Sequence, residues 1–243
     1  MKILHLIHTL LFYAALFLTG VLLLILMTIT AWLPYNLNNL YFQVTRFFAR
    51  ILLLIAGVRV EVRGKEYLSS ADGSILAVNH PGFIDFLVYY VVVPFRFRYV
   101  IAYTFFQAPL IRFLVRKMGY IPLGERPEKR RRISIIGSGA EIIGAIKKGD
   151  ILLVFPEGQR KKEPGEVMAR FRTWTARVVQ LTGVKIIPMA IRGTETILPK
   201  MRFILYPGKI TLTIGSPMAL DPALPAELAT DQLQKAMLSL YFS

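Results

Sequence analysis

Apolar residues run almost unbroken from Leu10 to Leu33, and residues 3–45 contain no Asp, Glu, Lys or Arg. A run of that length can cross a bilayer core of about 30 Å as a helix. It is too long for the core of a signal peptide, and no small-x-small cleavage site follows it. The pattern therefore predicts a transmembrane helix over residues 10–33 in preference to a buried core helix. Trp32, Tyr35 and Tyr41 surround the turn that follows, as an interfacial aromatic belt would. Over residues 41–56, Arg46 and Arg50 lie four apart on one helical face while Phe42, Phe47, Phe48, Ile51 and Leu54 take the remainder. This predicts an amphipathic helix in the interface, or a re-entrant second segment. Residues 1–57 are thus read as a membrane anchor and residues 58–243 as the folded body.

In the body, Val58, Val60 and Val62 alternate with Arg59, Glu61 and Arg63, the period of a half-exposed strand. Apolar runs at 75–78 and 151–155 predict buried strands, and further strands are predicted at 97–103, 119–124, 185–191 and 209–214. Helical spacing begins at Phe83 and recurs at 109–117, 133–148, 169–181 and 226–241, with Gly149 and Gly183 as stops. Strands alternate with helices, which predicts one α/β domain with a mixed β-sheet flanked by helices. No internal repeat, low-complexity segment or second domain is visible.

Charge changes the picture next. Of the 30 basic residues only Lys2 precedes Arg46, so the body carries 29 cations against all 15 carboxylates, a surplus of +14. Such a balance points to an anionic partner: nucleic acid, an anionic membrane surface or a phosphorylated substrate. Lys and Arg are far richer after the span than before it, which predicts that the body faces the cytoplasm. With no cysteine, disulfides, zinc thiolate sites and cysteine nucleophiles are excluded. Two of the three histidines, His5 and His8, lie in the apolar N-terminal segment. One histidine in the body cannot build a metal site at the usual spacings, so no metal is expected. The chain has no G-x-S-x-G elbow, P-loop or G-x-G-x-x-G.

The remaining histidine stands at a strand end. Ile75-Leu76-Ala77-Val78 stops at Asn79-His80-Pro81-Gly82, where Pro81 removes an N–H and turns His80 away from helical geometry. Asp85 follows in or near the first turn of a helix, where the dipole favours a negative charge. A turn between them can fold Asp85 back onto the imidazole, and a carboxylate that holds one tautomer is what a general base requires. The plainer alternative is a histidine that only satisfies a turn. Three basic elements also follow strands, where open α/β sheets place their ligands. They are Arg126 with Lys129 to Arg132, then Phe155-Pro156-Glu157-Gly158-Gln159-Arg160, then Phe171-Arg172. Arg126 and Arg160 suit a phosphate because a guanidinium binds its oxygens in pairs.

Four segments in order carry a resemblance: Asn79-His80 with Asp85, Gly119-Tyr120-Ile121-Pro122, Phe155-Pro156-Glu157-Gly158 with Arg160, and Ile187-Pro188-Met189-Ala190-Ile191-Arg192-Gly193-Thr194. Together they resemble the ordered blocks of the glycerolipid acyltransferases, of the lysophosphatidate acyltransferase type. The resemblance implies an O-acyltransferase of phospholipid biosynthesis, with His80 as base and Asp85 as its orienting partner. It also implies an acceptor site containing Glu157, Gly158 and Arg160, with Arg126 beside them. The co-substrate would be acyl-CoA or acyl carrier protein, with no other cofactor, and the acceptor a phosphorylated glycerolipid, most simply lysophosphatidate. The implied partners are the lipid bilayer and these two substrates, and no nucleic acid. Arg126 stands one residue further from Gly119 than in familiar members, and Trp174 stands where a glycine is usual. The rival class is a membrane-tethered protein that binds anionic lipid or nucleic acid without catalysis. Its basic residues would then need an exposed aromatic platform, whereas the aromatics here lie on apolar strands and helices.

Overall fold

Four fully buried residues, Ile75–Val78, form the strand around which the sheet is arranged. The computed structural model describes residues 2–33, 36–71, 73–124, 135–158, 166–199 and 203–243. In chain order the helices are α1 (Lys2–Ile29), α2 (Asn38–Ile55), α3 (Asp85–Val92), α4 (Pro109–Lys117), α5 (Ile135–Lys147), α6 (Trp174–Thr182), α7 (Thr194–Ile197) and α8 (Ala226–Phe242). The strands are β1 (Val58–Arg63), β2 (Ile75–Val78), β3 (Arg98–Ala102), β4 (Ile121–Leu123), β5 (Leu152–Val154), β6 (Ile186–Arg192) and β7 (Gly208–Ile214). They form one seven-stranded sheet in the order β1-β7-β6-β2-β5-β3-β4. The predicted α/β fold with a helix-flanked sheet is the observed one.

Chain contacts divide the protein into two compact units. The first comprises Met1–Val62, Pro81–Arg96 and Ile191–Leu212. Its helices α1 and α2 run antiparallel, because the ends meet crosswise: His8 Nε2 lies 2.5 Å from the Ile55 carbonyl, and Thr30 Oγ1 2.7 Å from the Tyr41 hydroxyl. Phe42 of α2 packs against Tyr90 of α3 with ring centroids 5.2 Å apart. α1 is long and apolar enough to cross a membrane by length and composition. It begins well before the predicted residue 10. Its early turns carry His5, His8 and Thr9, which are polar but break no helix, and Thr9 Oγ1 accepts the Leu205 N–H at 3.0 Å.

The second unit comprises Arg63–His80, Phe97–Ala190 and Thr213–Ser243. Within it β2 pairs in parallel with β5 on one side and β6 on the other, and β3 pairs in parallel with β4 and β5. Parallel strands covered on both faces need apolar side chains throughout, which is why 75–78 and 152–154 read as unbroken apolar runs. The core beneath them contains Ile142, Met168, Phe171, Trp174, Val178 and Leu233.

One boundary differs instructively. Helical spacing predicts a helix from residue 169, but α6 starts at Trp174. The N–H groups of the intervening segment are committed elsewhere: Ala169 to Glu157 Oε2 at 2.7 Å, Phe171 to Gln234 Oε1 at 3.2 Å, and Arg172 to the Pro156 carbonyl at 2.9 Å. Tertiary partners take the donors that a helix would otherwise leave at its first turn. The 3-10 turns at Lys65–Ser70 and Tyr103–Phe106, and the single turn α7, are too short to leave a periodic signal.

Arg98 joins the starts of three segments. Its Nη1 reaches Asp150 Oδ2 at 2.8 Å, its Nε donates to the Gly119 carbonyl, and its own N–H donates to the Ile151 carbonyl at 2.8 Å. Arg98→Ala removes the two side-chain bonds and is expected to lower stability by about 1–3 kcal/mol. Thermal unfolding of the detergent-solubilised protein measures it, and an unchanged midpoint would show the contacts to be superficial.

Candidate active site

In the β2–β5 pair, Ala77 faces Val154. Counting three residues onward along both parallel strands brings His80 opposite Glu157, so both chains leave the sheet at the same edge. There the His80 N–H donates to Glu157 Oε1 at 2.8 Å. The carboxylate is 1% exposed, and its second oxygen accepts the Ala169 N–H at 2.7 Å. A buried charge is tolerated where such bonds replace its water. The half-buried imidazole of His80 stacks on Phe155, with centroids 4.3 Å apart and planes 26° apart, and Phe155 in turn stacks on Tyr99.

The turn that carries Glu157 closes with Gly158 at φ +66°, its N–H bonded to the Phe155 carbonyl at 3.0 Å. A Cβ at Gly158 would lie 2.9 Å from Arg172 Cδ and Nε. The exposed Arg172, a candidate easily read as a helix-start charge, therefore lies directly over this turn.

Asp85 belongs to the first unit, as the first residue of α3, and is fully buried. Its Oδ2 accepts the Gly82 N–H at 3.0 Å. The carboxylate thus folds back onto the start of its own turn, at Gly82. Thr194 presses on the other side of that turn: a Cβ at Gly82 would lie 2.6 Å from Thr194 Oγ1 and 2.9 Å from its carbonyl carbon. Arg126, Lys129 to Arg132 and Arg160 lie outside the described residues.

With this geometry in view, comparison with known proteins is informative. A family model described as acyltransferase matches residues 59–192. The chain belongs to the acyltransferase family. That match covers β1 to β6 and contains His80, Asp85 and Glu157. A chloroplastic 1-acyl-sn-glycerol-3-phosphate acyltransferase of Arabidopsis thaliana is 28% identical over 164 residues, which is 66% of this chain and 44% of that protein. The enzyme of the same name from Bacillus subtilis is 24% identical over 176 residues, covering 71% of this chain and 81% of that one. This chain spans less than half the length of the Arabidopsis relative and 45% of a similar Brassica napus protein. Its fold resembles the crystal structure of the 1-acyl-sn-glycerophosphate acyltransferase PlsC from Thermotoga maritima. The TM-score is 0.76 at 21% identity, over 98% of this chain and 95% of that one.

Two features of this acyltransferase were not legible in the sequence. Phe155 and Glu157 stand in one of the quoted blocks, but only strand register shows that both touch His80. Thr194 closes another block, and nothing in its spacing points to Gly82, more than a hundred residues earlier. Trp174, the departure from the family pattern, is 9% exposed and fills the core beside Phe171.

Gly82→Ala forces a methyl group into Thr194 side chain and backbone together, so neither can simply rotate away. The expected cost is about 1–3 kcal/mol of stability, with displacement of the Asp85 turn. Gly144, inside α5, has nothing within 4 Å of its Cβ position, so Gly144→Ala is expected to hold or raise stability by up to about 1 kcal/mol. Parallel melts of the two variants check the contrast, and equal midpoints would contradict it.

Proposed function

We propose that this protein is a membrane-anchored O-acyltransferase of phospholipid synthesis. It moves a fatty acyl group from acyl-CoA or acyl carrier protein to the free hydroxyl of lysophosphatidate. The observation that carries the reading is the position of His80 at the carboxyl end of β2, beside the β5 turn, with the carboxylate of Asp85 five residues on. The names of the relatives support the acceptor, since these proteins are titled 1-acyl-sn-glycerol-3-phosphate acyltransferases.

In this mechanism His80 accepts the proton of the acceptor hydroxyl as its oxygen attacks the thioester carbonyl. The tetrahedral intermediate collapses with loss of thiolate, which takes the proton back from the imidazolium. Ester and free thiol are the products, and the imidazole is restored. Asp85 holds the ring in the tautomer whose free nitrogen faces the hydroxyl. No protein nucleophile is required, because the thioester is already activated.

The acceptor phosphate is assigned to Arg160 and Arg126, from sequence, and to Arg172 beside Gly158. Gly158, in the turn that carries Glu157, is one of the family's acceptor-site positions. α1 holds the enzyme at the bilayer where acceptor and product reside, with the +14 body on the cytoplasmic side facing anionic lipid.

Release of free thiol from acyl-CoA, or from acyl carrier protein, should depend on added lysophosphatidate. His80→Ala should reduce it by roughly a hundredfold or more, with Asp85→Asn less complete. Arg160→Lys should raise the acceptor KM by about one to two powers of ten and leave the donor KM unchanged. Thiol release that ignores the acceptor, or survives in His80→Ala, would dismiss the mechanism in favour of a binding role.

A further inference from the structure

We infer that the Phe155-Pro156-Glu157 turn is a clamp that positions His80, and that Glu157 acts by holding the histidine rather than by touching the acceptor. The inference rests on the reading of His80 as the base.

The clamp has two arms. Phe155 holds the ring: its face lies 4.3 Å from the imidazole at 26°, and Tyr99 backs it 6.2 Å further along at 12°. Tyr99 is itself 3% exposed and edge-packed by Phe97 and Tyr120, so this stack rests on a rigid base. A ring held over such a face cannot tilt without losing contact, and a protonated imidazole gains attraction to the ring quadrupole. Glu157 holds the main chain. Its Oε1 takes the N–H of His80 itself, and its Oε2 takes the N–H of Ala169.

Glu157 is 1% exposed, and each of its carboxylate oxygens accepts a backbone N–H. Its chemistry is that of a strut spanning two segments. The ring arm and the main-chain arm come from one turn, so they fix both the origin of the His80 side chain and its plane. A general base needs both, since a shift of about 1 Å at a reacting group can cost roughly a hundredfold in rate.

Glu157→Gln replaces one acceptor oxygen by an NH2 group, which must then face a backbone N–H. Glu157→Asp is one methylene too short to span both donors. Under the clamp both variants lower kcat, by roughly ten- to a hundredfold, and change the acceptor KM less than twofold. An acceptor-binding Glu157 would do the reverse, raising that KM while kcat holds, and this result would overturn the inference.

The ring arm is read without substrate. In full-length protein labelled at its three histidines, His80 is assigned by the signal lost in His80→Ala. Phe155→Leu should shift the His80 ring protons downfield as the stacked face is removed, and Phe155→Tyr should restore them. Unmoved His80 resonances in Phe155→Leu would overturn the clamp. Turnover by His80→Ala would instead overturn the proposed function and leave the ring-shift result standing.

Discussion

The architecture of the site depends on a register between two short parallel strands. Because Ala77 lies opposite Val154, His80 and Glu157 emerge side by side, and a hydrogen bond of 2.8 Å from the His80 N–H joins them. A buried carboxylate is an expensive way to make that junction, and backbone N–H groups on both oxygens offset its desolvation. The cost recruits further structure. Ala169 offers its N–H from the irregular segment before α6, and Gln234 of α8 holds that segment through the N–H of Phe171 and the carbonyl of Ala169. The Arg172 N–H then closes on the Pro156 carbonyl at 2.9 Å. One side chain in a turn is thereby linked, through that segment, to the C-terminal helix.

Asp85 illustrates the opposite solution to the same problem. Its buried carboxylate is turned onto the N–H of Gly82, three residues before it, so its position is set locally and survives wherever that turn forms. Local geometry still needs a tertiary limit, and Thr194 supplies it by occupying the space where any larger residue at 82 would project. A histidine fixed through long-range contacts and a carboxylate fixed through a short turn are complementary. The first makes the site specific to the fold, and the second makes it cheap to build.

The N-terminal helices answer a different constraint. Along α1, Phe12 and Met27 are buried, whereas Phe17, Leu18 and Ile29 are more than half exposed. In α2, Leu52 and Leu53 are buried while Phe47 and Leu54 face outward. The helices cover each other along one seam and leave apolar residues on the outside, a surface suited to hydrocarbon rather than water.

Which properties belonged to the sequence follows from the range of the forces involved. Period-two and period-3.6 patterning, Pro81 at the end of β2, the cysteine-free composition and the uncharged stretch over 3–45 are local, so they announced the α/β body, the apolar helix and the candidate His80–Asp85 pair directly. The order of the family's blocks pointed to acyl transfer for the same reason, since each block is a short contiguous segment. What the chain alone could not reveal was the work of Phe155, Glu157 and Thr194. Each acts on a residue at least 75 positions away, through a sheet register and side-chain packing that exist only once the strands have paired. The irregular segment before α6 belongs with these: helical periodicity is written in the residues, but the N–H groups of Ala169, Phe171 and Arg172 find partners that only the folded chain brings to them.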